Sequence, residues 1–228
     1  MGTFGGAKPI VTDGLSFMID ATNKQSFTSG STSINDVVGD LDGTLFNGPV
    51  MGDNFSITLD GTNDSIGVDA DSRWGLGENT TINFWFKKLS YSGWILSFKK
   101  ASWIGWWFDA NSSGVFGFSG QNGSNDTSPN FNTTLINQWY NYVLVVDRDN
   151  SLWKTYKNGV FIGSDTINHG SAATGTLSVY DRLYVGSRGR VGDLYSNMEF
   201  GSLSFYDRVL SSEEILQNYN ALKGRFGL

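Results

Sequence analysis

Acidic and aromatic side chains carry what chemistry this sequence could do. Glutamate is scarce: Glu78, Glu199, Glu213 and Glu214 are the only four among 228 residues. Retaining glycoside chemistry needs two carboxyl groups about 5–5.5 Å apart, one an acid and one a nucleophile. A Glu-x-Asp-x-x-Glu run on one strand would aim such a pair into a cleft, and the chain has none. Glu213 and Glu214 open a helix, where acidic side chains favour the helix dipole. His169, the sole histidine, sits in the polar turn Asn168-His169-Gly170 with no identifiable partner to activate a nucleophile. Gly186-Ser187-Arg188-Gly189-Arg190 lacks the Lys-Ser/Thr and the following helix of a phosphate loop. No catalytic residue is expected.

Asp60-Gly61-Thr62-Asn63-Asp64 sets several oxygen atoms on one tight turn. Calcium is held by such oxygens, which makes Asp60 and Asp64 the candidate ion ligands. Asp, Asn and Gly are equally what a turn uses to bond its own backbone, and that reading is the stronger. Asp109 and Asp126 are weaker ion candidates. No other cofactor is expected.

The aromatic residues are the better lead. Over residues 81–89, Ile82, Phe84 and Phe86 alternate with Asn83, Trp85 and Lys87, so the two sets point to opposite faces of a strand. The first set reads as core. A flat indole beside an amide and an ammonium can hold a sugar, its C–H face stacked and its hydroxyls hydrogen-bonded. Asn83, Trp85 and Lys87 form the candidate glycan face, bordered by Trp94 and Trp107 on neighbouring strands. Trp103 lies on the same strands, and Trp106 with Ile104 and Phe108 reads as core. Trp85 has a second reading, beneath a loop or against another subunit, because aromatic residues are also enriched in interface cores.

The elements that position these residues are almost all strands. Glycine is abundant at 29 residues and the aromatic fraction is 14%, which favours turns and a bulky core over long helices. Residues 1–13, with Gly5-Gly6 and Pro9, read as an irregular arm, and residues 14–228 as a single domain. Leu15, Phe17 and Ile19 alternate into a first strand. Residues 21–55 form a long decorated loop with a brief strand at 43–46. Short strands follow at 57–59 and 66–68, then stronger ones at 81–89, 94–98, 103–108, 115–118 and 139–147. Residues 119–137 form a polar loop. Residues 152–157 pair back on 160–163 through Asn158-Gly159, whose residues both tolerate positive φ. Residues 183–186 and 198–205 complete the set. Turn signals about every ten residues suggest antiparallel strands in a sandwich or barrel. A capped helix ends the chain: Ser211 and Glu214 make a capping box, Ile215, Leu216, Tyr219 and Leu222 share a face, and Gly224 is the expected stop. So short a helix must dock that face on a sheet.

The formal charge of −6 argues against a nucleic-acid partner, which would need clustered Lys and Arg. No apolar run approaches the length of a membrane span. Zero cysteine excludes disulfides and thiolate metal sites. Seven Asn-x-Ser/Thr triplets match the composition of an Asn- and Ser-rich chain rather than mark glycosylation.

The order of these features resembles the laminin-G-like, concanavalin A-like jelly-roll domains, all-β proteins of two curved antiparallel sheets. The resemblance runs through Gly14-Leu15-Ser16-Phe17-Met18-Ile19-Asp20-Ala21, residues 56–66, Thr81-Ile82-Asn83-Phe84-Trp85-Phe86, residues 138–143, Tyr156-Lys157-Asn158-Gly159-Val160 and the tail at 206–220. Members often carry Trp-x-Asp-Leu-Ser-Gly in the first long loop. Here it reads Ile34-Asn35-Asp36-Val37-Val38-Gly39, without the aromatic residue. The opening and the tail also resemble small virion-type proteins of tailed phages, marine ones especially. That resemblance implies a non-enzymatic protein of the virion surface, foremost a capsid decoration component. Its partners would be capsid or other virion proteins, with the chain a homo-oligomer on the particle and residues 1–13 a flexible tether. The alternative is a lectin-like adhesin, on tail fibre or capsid, that binds host-surface polysaccharide. The absence of heptads and fibre repeats favours a decoration knob over a fibre.

Overall fold

The computed structural model describes residues 8–52, 56–99, 104–109, 116–119, 125–127, 135–168, 171–172, 177, 181–189 and 193–228. His169 and Trp103 lie outside them. The described strands are β1 Leu15–Asp20, β2 Ser33–Ile34, β3 Gly43–Phe46, β4 Val50–Met51, β5 Ile57–Asp60, β6 Ser65–Val68, β7 Thr80–Lys88 and β8 Trp94–Lys99. They continue with β9 Gly105–Asp109, β10 Phe116–Ser119, β11 Asn125–Thr127, β12 Trp139–Asp147, β13 Leu152–Lys157, β14 Val160–Thr166, β15 Leu183–Val185 and β16 Asn197–Tyr206. Helix α1, Ser212–Leu222, follows. The loop expected over 119–137 therefore contains a short strand, β11, paired to β10.

Two eight-stranded antiparallel sheets make the sandwich. The first runs β14-β13-β12-β7-β16-β5-β4, with β1 also on β16, and the second runs β11-β10-β9-β8-β15-β6-β3-β2. Alternation decides which side chains meet between them. Phe17, Ile19, Ile82, Phe84, Phe86, Tyr142, Leu144 and Trp153 of the first sheet pack on Ile66, Val68, Phe98, Trp106, Phe108 and Leu183 of the second. Trp106 and Phe108 are core, as the sequence suggests. Ile34, which opens the departing loop motif, is fully buried in the same core.

Strand β1 would leave a free edge, and the loop after it closes that edge. The Met18 N–H donates to Asp36 Oδ1 at 3.0 Å, the Val37 N–H to the Met18 carbonyl at 2.9 Å, and the Asp20 N–H to Ser26 Oγ at 3.0 Å. Capping an edge in this way blocks pairing with another chain.

Helix α1 starts as expected. Ser211 Oγ accepts from the Glu214 N–H at 3.2 Å, and Glu214 Oε2 accepts from the Ser211 N–H at 2.8 Å. Its end and its face differ from expectation. The chain does not stop at Gly224 but tightens into a 3-10 turn, Lys223–Phe226, closed by Gly227 at φ 73°. Leu216 points to water, while Asn218 is buried beside Ile215 and Leu222. Residues 8–13 explain the swap. They are irregular, as expected, but pinned: the Val11 N–H donates to Asn218 Oδ1 at 2.8 Å and Tyr206 OH to the Val11 carbonyl at 3.0 Å. Asn218 Nδ2 donates to the same Tyr206 hydroxyl at 3.0 Å. This stretch of the arm is not a free tether.

Arg208 locks helix and arm together. It holds Glu214 through two bonds of 3.0 and 2.6 Å and reaches Asp13 Oδ2 at 3.0 Å. Those Arg208 bonds, with the Ser211 N–H, lower the Glu214 carboxyl to about 2 from 4.5. A carboxylate lowered on folding gives stability that is complete above its unfolded pKa and lost as pH falls through the folded one. The pair is partly exposed and screened, so its worth is about 1 kcal/mol. The melting temperature of wild type minus that of Glu214→Gln is therefore expected to be positive at pH 6 and to shrink to nothing between about pH 4.5 and 2. A difference independent of pH would contradict the pair's role.

Candidate functional site

The outer face of the first sheet carries the set Asn83, Trp85 and Lys87, and the structure closes it. Cross-strand register brings Glu199, Lys87 and Trp139 into one row, then Ser202, Trp85 and Asn141, then Ser204, Asn83 and Val143. The face assignment from alternation is correct, but solvent does not reach it. Helix α1 and its 3-10 extension lie across these rows. Trp85 is 0% exposed, stacked on Tyr219 at 5.7 Å and on Phe226 at 4.4 Å. The Phe226 ring seats where Gly201 leaves room, since a Cβ there would meet it at 2.7 Å. Asn83 is buried and accepts from Asn141 Nδ2 at 2.5 Å. Lys87 pairs with Glu199 at 2.5 Å, and Ser56 donates to the other Glu199 oxygen at 3.0 Å. Asn83, Trp85 and Lys87 therefore offer no sugar platform. The second reading of Trp85 is right only in that the ring is covered: the cover is neither a loop nor another subunit but the chain's own C-terminal helix and 3-10 turn.

Trp94 and Trp107 are elsewhere, on the outer face of the second sheet, and the structure brings them together. Their rings stack with centroids 5.1 Å apart and planes 11° from parallel, both half-buried. The Arg188 guanidinium lies 5.8 Å over Trp94, and its Nε donates to Asp193 Oδ1 at 2.6 Å. One row across this face reads Gly117, Trp107, Ser97, Tyr184, Gly67 and Thr44. Strands about 4.8 Å apart put Trp107 and Tyr184 about 9.5 Å apart, with the small Ser97 between them. Ser97 Oγ is fixed by the Ser187 carbonyl at 2.9 Å. Gly67 leaves room for the rings beside it: a Cβ there would meet the Phe46 ring at 2.7 Å and the Tyr184 ring at 3.2 Å. Arg182 lies 5.5 Å over Phe46 and pairs with Asp69 at 2.8 Å. The face thus sets flat aromatic side chains between small residues and borders them with two guanidinium–carboxylate pairs. Ring faces for C–H groups and charged partners for hydroxyls are what sugar recognition needs.

The sequence reading missed Tyr184, Arg182, Arg188 and Phe46. The available signal was the alternation of Arg182 and Tyr184 with the core residues Leu183 and Val185, within a strand of only three residues.

Asp60 and Asp64 spend their oxygens on their own turn. Asp60 Oδ1 accepts from the Thr62 and Asn63 N–H groups at 2.7 and 3.2 Å, and Asp64 Oδ2 from the Asp60 N–H at 3.2 Å. The backbone bond from Thr62 holds the Asp60 carboxyl below its usual range, while burial raises that of Asp64. This is the turn reading. Among the described residues no group of three or more His, Cys, Asp or Glu could hold a metal ion. Asp109 ends β9, and the side chain of Asp126 lies outside the described ones. No helix among the described residues is long and apolar enough to cross a membrane.

The family described as Concanavalin A-like lectin/glucanases superfamily matches over residues 60–216. No curated protein matches the chain. Among solved structures, the botulinum neurotoxin serotype C1 binding domain superposes with TM-score 0.70 at 15% identity, over 92% of this chain and 52% of its own. The serotype G binding domain gives 0.67 at 16% identity, over 89% and 50%. Trypanosoma rangeli sialidase in complex with sialic acid gives 0.64 at 13% identity, over 95% of this chain and 34% of its own. The chain spans about half the length of the toxin domains and a third of the sialidase, and at these identities the likeness is one of fold.

Proposed function

The chain belongs to the concanavalin A-like lectin/glucanases superfamily, and we propose that within it the protein is a non-catalytic, lectin-like adhesin of a phage virion that binds host-surface polysaccharide. The stacked Trp94 and Trp107 on the outer face of the second sheet carry this reading. Large aromatic rings at water-facing strand positions do not serve the core, and they sit beside ionic groups suited to hydroxyls. The first sheet's outer face is occupied by α1, so ligand binding falls to the second. Neighbours of the same fold include a receptor binding domain and a sialidase in complex with sialic acid. Fold likeness alone does not transfer either role.

The absence of catalysis is part of the proposal. Glu199 is tied to Lys87 and Ser56 beneath the helix, Glu214 to Arg208, and Glu213 lies on the helix. Glu78 lines a different groove, with Asp71, Arg73 and Asp207. The virion setting, with display on the capsid, rests on the resemblance of the opening and tail residues to phage proteins.

Purified protein titrated with polysaccharide from the host envelope is expected to bind saturably, and equally well with chelator present. No binding at millimolar sugar would remove the adhesin reading. Binding lost on chelation would overturn the turn assignment of Asp60 and Asp64. Antibody labelling of purified particles is expected to decorate the capsid. Label confined to tails, or absent, would overturn the placement.

A further inference from the structure

A groove of about 530 Å³ lies between the N-terminal arm, β1 and the end of α1, away from the Trp94–Trp107 face. Its size falls within the roughly 300–1,000 Å³ typical of small-molecule sites. Leu15 and Met18 of β1 line it together with Ile10 of the arm, Val38 of the edge-capping loop, and Ala221 and Leu222 of α1. Val38 is 43% exposed, an apolar side chain left facing water.

The charges on this groove are unbalanced. Asp20 is 2% exposed and fully engaged: Oδ1 accepts from the Thr22 N–H and hydroxyl, and Oδ2 from Arg225 Nη1 at 2.8 Å. Arg225 is 48% exposed on its side chain. Beyond its Nη1 bonds to Asp20 and Thr22, its Nε and Nη2 have no partner among the described residues. Lys8, also on the groove, has no ion pair among the described residues. An apolar trough thus carries two cations against one spent carboxylate, in a chain of formal charge −6. We propose that this groove binds an aliphatic carboxylate, its tail along Met18, Leu15 and Val38 and its head on the unspent donors of Arg225 and Lys8. An anion held by guanidinium and ammonium makes the stronger, charge-assisted class of hydrogen bond, and the tail removes the exposed apolar wall from water.

The test is calorimetric titration of the full chain with decanoate, decan-1-ol and decylammonium, each below its aggregation threshold. Decanoate is expected to saturate one site at least about tenfold more tightly than decanol, with no binding of decylammonium. Val38→Asp puts a like charge on the wall at a side chain already in water. It is expected to weaken decanoate by about tenfold or more at unchanged melting temperature. Lys8→Gln is expected to weaken it severalfold. Arg225→Gln is avoided, because it would strand the buried Asp20. Decanol binding as tightly as decanoate would reduce the groove to a non-specific apolar surface. Undiminished binding to Val38→Asp would place the ligand elsewhere, and no saturable decanoate binding would end the proposal.

Discussion

Replacing Trp85 with alanine is expected to cost about 4 kcal/mol, the usual range for emptying a fully buried aromatic site. For a domain of this size that lowers the melting temperature by about 10 °C. Trp85 is fully buried and forms the floor on which the C-terminal segment rests, between Tyr219 and Phe226. Losing it leaves Phe226, Trp139 and Leu222 around a void, so α1 should loosen before the sandwich does. The indole Nε1 of Trp85 is buried with no hydrogen-bond partner among the described residues. An unmet buried donor costs about 1–3 kcal/mol, so Trp85→Phe, which keeps a ring and removes the N–H, should cost far less than the alanine variant. Glycan binding by the folded fraction of either variant should equal wild type. A stable Trp85→Ala protein that had lost glycan binding would instead restore the first sheet's face as the site.

Trp107→Ala is expected to show the reverse pattern. Its ring is half-buried on the outer face and stacked on Trp94, so truncation should cost about 1 kcal/mol of stability. Polysaccharide affinity should fall at least about tenfold, which corresponds to 1.4 kcal/mol. Trp107→Phe, which keeps a flat ring, should recover part of it. The contrast between two tryptophans on alternating strands separates a packing role from a binding one. Equal affinity in Trp107→Ala would move the site off this face.

Alternation made the strand faces legible. It separated Ile82, Phe84 and Phe86 from Asn83, Trp85 and Lys87, and the register confirms that division. Local chemistry made the hairpin at Asn158-Gly159 legible, where φ is 52° and 77°, and likewise the Ser211–Glu214 capping box. What the sequence could not yield is which outer face a tertiary element covers. Trp85 and Trp107 have the same alternating signature, and only the docking of α1 distinguishes them. The helix face failed for a related reason: Asn218 is buried because the arm and Tyr206 satisfy its amide, and no periodicity reports a partner more than two hundred residues away. Tyr184 was hidden by the brevity of β15, a strand too short for a two-residue period to register.

The most direct test of the account is to follow the indole N–H resonances of the eight tryptophans by two-dimensional NMR during titration with host polysaccharide. Binding on the second sheet predicts that the Trp94 and Trp107 signals shift and saturate together, while those of Trp85 and Trp139 stay fixed beneath the helix. Movement of Trp85 and Trp139 with Trp94 and Trp107 unchanged would contradict it.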